Sequence, residues 1–242
     1  MNVFPKNKNK IRKIIFFIVL LISFCKLSAQ SGQTSRSTQN FGFGVYAEPL
    51  ISWFSTDTWE TKNSGARAGF CFGLNFYKYF ATNYAFSTGI YISSSGGRLF
   101  SGETQTMQFN NFTQVINPGE KVTYKIQYLG IPLGLKFKSN QIGYLTFTTD
   151  IGVDPMVMLG GKVDIANPPI SGESAKEELN SFNIGYHIMP GLEYSLGGTT
   201  SVCIGIGFEK TFLDVTKDII PLGQPKDKVT NNLFKVRFGV NF

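Results

Sequence analysis

The sequence predicts an all-β fold: a single eight-stranded antiparallel up-and-down transmembrane β-barrel with short periplasmic turns and long extracellular loops. Three observations predict it. The chain ends in a strictly alternating strand, with Phe234, Val236, Phe238, Val240 and Phe242 on one face and Lys235, Arg237, Gly239 and Asn241 on the other. A period of two sets an apolar face against a polar one. The chain begins with an export signal, and the alternating segments in between are joined by connections that are in turn long and short.

Taken from the N-terminus, Lys6, Lys8, Lys10, Arg12 and Lys13 form a positive region. An unbroken apolar run over 14–22 follows, then Leu27-Ser28-Ala29 before Gln30. This is the layout of a secretory signal peptide. The apolar run is too short to span a bilayer, which takes about 20 residues. Cys25 raises lipidation as an alternative, but Phe24 stands before it where a small residue is needed. The expected organisation is therefore a cleaved signal peptide over 1–29, a short periplasmic segment over 30–40 and a barrel domain over 41–242. Six of the 23 basic residues and none of the 16 acidic ones lie in 1–29. The remainder is close to neutral, so the apparent pI of 9.2 reflects targeting and gives no support to nucleic-acid binding.

Eight strands follow. The first is about 41–54, with Phe41, Phe43, Val45 and Ala47 outward. The second is 67–78, with Ala68, Phe70, Phe72, Leu74 and Phe76 outward, and the third 83–94, with Tyr84, Phe86, Thr88, Ile90 and Ile92. The fourth spans 121–138. The fifth, 142–159, presents Leu145, Phe147, Thr149, Ile151 and Val153. The sixth, 180–196, presents Phe182, Ile184, Tyr186 and Ile188; the seventh, 200–213, Val202, Ile204, Ile206 and Phe208; the eighth is 232–242. Each has the 9–11 residues or so that a tilted span needs. The connections 55–66, 95–120, 160–179 and 214–231 are long, and 79–82, 139–141 and 197–199 are short. This alternation puts both termini on the periplasmic side. In lipid the sheet must close, because an open edge would leave backbone groups without partners. Tyr77, Tyr79, Phe80, Tyr84, Tyr144 and Tyr194 crowd the short turns and suit an interfacial girdle.

The fourth strand changes phase. Val122, Tyr124, Ile126 and Tyr128 share one parity, whereas Leu129, Ile131, Leu133, Leu135 and Phe137 share the other. A bulge near residues 128–130 would reconcile them. Pro132 has no N–H and should lie at this irregularity or at a missing ladder bond. The segment Tyr128-Leu129-Gly130-Ile131-Pro132-Leu133-Gly134-Leu135-Lys136-Phe137 resembles a recurring stretch of PorT-like outer-membrane β-barrel proteins of the Bacteroidetes, as does the ending of the signal peptide, Leu-Ser-Ala-Gln. Where that family often carries an acidic residue, this chain has Gly130, so no carboxylate role carries over. The resemblance implies an outer-membrane barrel of about eight strands, with a namesake that takes part in secretion of proteins carrying a C-terminal sorting domain.

An eight-stranded barrel has an interior just wide enough for side chains to fill. The inward parity carries Glu48, Arg67, Asn75, Lys136, Lys138, Asp150, Asp154, His187, Glu209, Lys235 and Arg237. Both signs are present, as a lumen filled by ion pairs requires; the same residues would line a narrow solute path. His187 is the only histidine. A hydrolase needs a nucleophile and an orienting carboxylate beside it, and although Ser181 and Asp154 exist, no spacing links them. No catalytic, cofactor-binding or metal-binding residue is assigned. Asp164, Glu173, Glu177 and Glu178 gather acids in the third long loop, where calcium and plain solvation both fit. Gly205 and Gly207 relieve crowding inside the seventh strand. Cys71 and Cys203 remain in the mature chain; each sits within a strand, and free thiols are expected. Phe234, Val236, Phe238, Val240 and Phe242 are read as the C-terminal assembly signal. The expected partners are outer-membrane lipid, the barrel-assembly machinery and envelope or secretion-complex proteins, with no nucleic acid. Three functional classes compete: a non-enzymatic accessory barrel, a narrow channel and a membrane-embedded hydrolase.

Overall fold

A computed structural model of the chain describes residues 40–57, 61–102, 104–108, 113–166, 169–217 and 228–242. The expected signal peptide and nearly all of the 30–40 segment lie outside these residues. The described strands, in chain order, are β1 (Phe41–Thr56), β2 (Thr61–Gly65), β3 (Arg67–Ala81), β4 (Tyr84–Ser101), β5 (Gln105–Gln108), β6 (Thr113–Ile116) and β7 (Lys121–Gly130). They continue with β8 (Leu133–Lys138), β9 (Leu145–Ile165), β10 (Ile170–Ser174), β11 (Phe182–Gly197), β12 (Thr200–Thr211) and β13 (Val229–Asn241).

Antiparallel neighbours run β1, β3, β4, then β7 with β8, then β9, β11, β12 and β13. β13 returns to β1, from Gly44↔Asn241 through Thr56↔Val229, and closes the ring. With β7 and β8 counted as one interrupted strand, the ring has eight strands. The carboxy-terminal residue seals the seam: Phe242 exchanges backbone hydrogen bonds with Phe43 at 2.7 and 3.2 Å, and the two rings stack at 5.3 Å.

Within the belt, alternation then sorts the described strand side chains into lipid-facing and interior. Phe72 is 62% exposed, Phe86 58%, Phe147 55% and Ile206 55%. A continuous apolar belt of this kind has no solvent but hydrocarbon. At the periplasmic end the turns are short, with β3 reaching β4 across residues 82–83 and β11 reaching β12 across 198–199. Gly197 and Gly198 supply the positive φ that the second of these turns requires, +107° and +60°. At the opposite end the strands outrun the belt. β2 lengthens the sheet beside β4, β10 folds back on β9, and β5 pairs with β6.

Three expectations need correction. The fourth strand has no phase break: its even residues face inward throughout, from Val122 to Lys138. The parity of the apolar residues switches because the interior itself changes from apolar to polar along the barrel axis. The bulge lies on the partner strand, where Gln127 opposes Gly160 and Tyr128 opposes Met158, leaving Leu159 extra on β9. Pro132 does sit at the break between β7 and β8, where the Ile131 N–H donates to the Pro155 carbonyl at 3.0 Å. Second, Tyr77 and Tyr79 are not girdle residues. They have the inward parity of β3, and only Phe80, Tyr84, Tyr144 and Tyr194 face outward, pairing as Phe80–Tyr84 at 6.2 Å and Tyr144–Tyr194 at 5.8 Å. Third, Arg67 stands apart from the other interior charges. It lies at the extracellular end of β3 and donates from Nη1 to the Ser95 carbonyl at 2.6 Å.

Candidate functional site

The interior is the candidate site, and it has two halves. The periplasmic half is charged. Arg237 on β13 donates from Nε to Glu48 Oε1 on β1 at 2.6 Å and reaches Asp150 Oδ2 on β9 at 3.7 Å. Two residues further along β13, Lys235 donates to Glu209 on β12 and lies 3.7 Å from Glu48 Oε2. Nearer the periplasmic mouth, Lys136 and Lys138 on β8 hold the two oxygens of Glu193 at 2.6 and 2.7 Å, and Asn241 Nδ2 donates to the same carboxylate at 2.8 Å. His187 Nδ1 faces Asp154 Oδ2 at 2.7 Å. Glu48, Lys136, Asp154, Glu209 and Lys235 are almost fully buried, and burial of charges at this depth needs such partners.

Tyrosines line the same half. Lys136 Nζ lies 3.8 Å from the Tyr77 ring centre, Arg237 Cζ 4.3 Å from Tyr46 and Lys235 Nζ 5.3 Å from Tyr91. Each cation thus has a carboxylate and an aromatic face. The rings need room, and glycines on the neighbouring strand provide it: Tyr46 lies over Gly73, and Tyr91 over Gly130, its direct partner in register. Gly130 is the position where the resemblance led one to expect an acid; here a Cβ would collide with the Tyr91 ring. Gly205 and Gly207 face Met189, and a Cβ on Gly207 would lie 2.7 Å from its sulfur.

The extracellular half is mainly apolar. Phe54, Leu99, Val122, Tyr124, Ile126, Tyr128, Met156, Val163, Ile165 and Val229 form one buried cluster with Ile116, Ala175, Leu179 and Val215 from the connections. The connections are held over the mouth by backbone hydrogen bonds, among them Ala175 N–H to Gly161 O at 3.0 Å and Val215 N–H to Val229 O at 2.8 Å. Between the halves lie Tyr91, Ser93, Tyr128 and Asn231, each with a buried polar atom that has no partner among the described residues.

Among the described residues the interior cavities between the charged side chains are small. One cavity of about 20 Å³ is bordered by Glu48, Asp150, Asp154, His187, Glu209 and Arg237. Another, also about 20 Å³, is bordered by Lys136, Glu193, Cys203 and Arg237. Each has room for about one water. Cys71 and Cys203 are both free.

Glu48, Lys136, Asp150, Asp154, His187, Glu209, Lys235 and Arg237 thus gather in one half of the interior. Glu193 and the tyrosines 46, 77 and 91 were missed, although their parity on β11, β1, β3 and β4 marked them as inward. The His187–Asp154 contact has the geometry that orients an imidazole. Ser181 does not complete it, because it precedes β11 and lies six residues, roughly 20 Å of strand, from His187.

The model of the outer membrane protein beta-barrel domain matches residues 29–212. Among curated proteins no sequence matches the chain. Among solved structures, Neisserial surface protein A (NspA) is similar at 11% identity and a TM-score of 0.41, over 82% of this chain and 95% of that one. Ail, the attachment invasion locus protein of Yersinia pestis, is similar at 13% identity and a TM-score of 0.40, over 84% and 100%. The outer membrane protease OmpT from Escherichia coli is similar at 9% identity and a TM-score of 0.44, over 88% and 99%.

Proposed function

Because this chain belongs to the outer membrane protein β-barrel domain family, we propose that it serves as a non-catalytic accessory barrel of an envelope complex, in keeping with the secretion role that its resemblance to PorT-like barrels implies. It resides in the outer membrane. The observation that carries the proposal is the filled interior: paired charges below, an apolar cluster above, and cavities of about 20 Å³ between side chains. A barrel filled in this way supports work at its surfaces, where the strands extend past the belt and the connections fold over the mouth. The partners proposed are outer-membrane lipid along the belt, envelope or secretion-complex proteins at the ends, and the barrel-assembly machinery during biogenesis.

Planar-bilayer recording of the purified barrel tests this. No discrete conductance steps are expected; regular steps would replace the proposal with the narrow-channel reading. Crosslinking in intact cells followed by purification should then recover stoichiometric envelope proteins. The assembly signal is tested separately by deleting Phe242, which closes the seam with Phe43. The heat-modifiable form in the outer membrane should fall severalfold; unchanged assembly would end the reading of 234–242 as that signal.

A further inference from the structure

Above the apolar belt, one wall of the barrel is basic. On β4, β7 and β9 the last row that is apolar on all three strands is Ile92, Leu129 and Val157, matched in register. The next row is Ser94, Gln127 and Gly160. Beyond it Lys125 stands directly opposite Lys162, then Arg98 opposite Thr123, then Lys121 and Lys62 on either side of Phe100. Directly opposed residues share a face of the sheet, so all five cations point outward. On the outward face of these strands the single acid among the described residues is Asp164.

We propose that this wall is a docking surface for the phosphate groups of an anionic outer-leaflet lipid. The wall stands at headgroup height. Lys125 is four residues past Leu129, about 13 Å along the strand and about 9 Å along the membrane normal at a tilt near 45°. The polar layer above the hydrocarbon is roughly 5–8 Å deep, so flexible lysine stems reach down into it. The charge of the wall is unbalanced. Like charges directly opposite on neighbouring strands are destabilising. Asp164 answers Lys125, but Lys162 and Arg98 are exposed and pair with no carboxylate among the described residues. An anion bridging Lys125, Lys162 and Arg98 removes that repulsion. The wall is also one-sided. On the other side of the barrel the edge of the belt carries rings, Trp53–Phe208 at 6.4 Å and Tyr186–Phe212 at 5.3 Å, with Lys210 beside them opposite Tyr186. That is an ordinary aromatic girdle; among the described residues the outward faces of β1, β3, β11, β12 and β13 carry one cation toward the extracellular end, Lys210, against five on the basic wall.

The test uses the mature barrel in zwitterionic detergent and follows the temperature at which its folded, fast-migrating form is lost. Diphosphoryl lipid A should raise that temperature and dephosphorylated lipid A should not. The triple variant Arg98→Ser, Lys125→Ser, Lys162→Ser should weaken the apparent affinity at least tenfold while keeping the heat shift. The Lys125→Arg, Lys162→Arg pair and Lys210→Ser should each bind as the unaltered barrel does. Equal binding of dephosphorylated lipid A, or unchanged binding by the triple variant, overturns the proposal. So does dextran sulfate stabilising the barrel as well as lipid A does, which would assign the wall to a soluble polyanion. If the triple variant does not fold, the unaltered barrel in about 1 M salt, where the Debye length is about 3 Å, decides: the lipid A effect should vanish, and its persistence overturns the proposal.

Discussion

The two halves of the barrel interior solve one packing problem by opposite means. Below, Glu48, Glu193, Glu209, Lys136, Lys235 and Arg237 fill the space with charges that each need a particular partner. Above, Phe54, Tyr124, Ile126 and Met156 fill it with side chains that need only volume. The difference teaches that a barrel core need not be uniform. The charged half ties strands at specified registers, as Asn241 on β13 does when it reaches Glu193 on β11 across β12. The apolar half lets the connections dock without exact partners, which is how Ile116, Leu179 and Val215 can be drawn into it from three of them.

Breaking the comparison starts where loss should be greatest. Glu48→Ala leaves Arg237 and Lys235 short of a carboxylate and should lower stability by about 4 kcal/mol, as removal of one partner of a buried pair does. Urea unfolding of the refolded barrel measures it. Ile126→Ala opens a cavity in the apolar half and should cost about 3 kcal/mol. If Glu48→Ala proved the milder of the two, the contrast between specific and volumetric packing would dissolve.

Gly130→Ala probes the seam between the halves by pushing the Tyr91 ring from its seat. A cost of about 2 kcal/mol is expected from overpacking, and Gly130→Ala combined with Tyr91→Ala should cost less than the sum of the two. Additive effects would show that the ring and the glycine do not depend on each other.

The smallest effect is expected outside both halves, in the β9–β10 hairpin. Burial opposes ionisation of Asp164, but hydrogen bonds from Lys125, the Gly172 N–H and Ser171 outweigh it and hold its carboxyl below the ordinary value. The stabilisation is therefore present above the ordinary carboxylate range and lost as pH falls through the lowered value. Lys125→Ala should cost less than about 1 kcal/mol, as exposed pairs do. Amide exchange in 162–173 should quicken on acidification in the unaltered barrel and much less in the variant; equal acceleration in both would remove Asp164 from the account.

Much of the fold was legible because lipid imposes a binary rule on outward residues. Phe72, Phe86, Phe147 and Ile206 read as outward from alternation alone, and they are. The same rule misled at strand four. Val122, Tyr124, Ile126 and Tyr128 are apolar yet inward, so parity of hydrophobicity ceased to report the face. The bulge at Leu159 was invisible because it lies in β9, whose own alternation before it is regular. Among the interior residues, parity marked Asp154 and His187 as inward. Their meeting depends on the register of β9 with β11, where Gly185 opposes Asp154.

By itself the sequence determined the eight spanning strands, the outward faces of all but the first half of the fourth, and the alternation of short and long connections, because two-residue periodicity and turn length are local properties that hydrocarbon reads directly. Tertiary structure decided which charge meets which, where the interior turns from polar to apolar, and that five cations from four strands share one wall above the belt. Those outcomes depend on register and strand stagger, which are properties of the closed ring and not of any one segment.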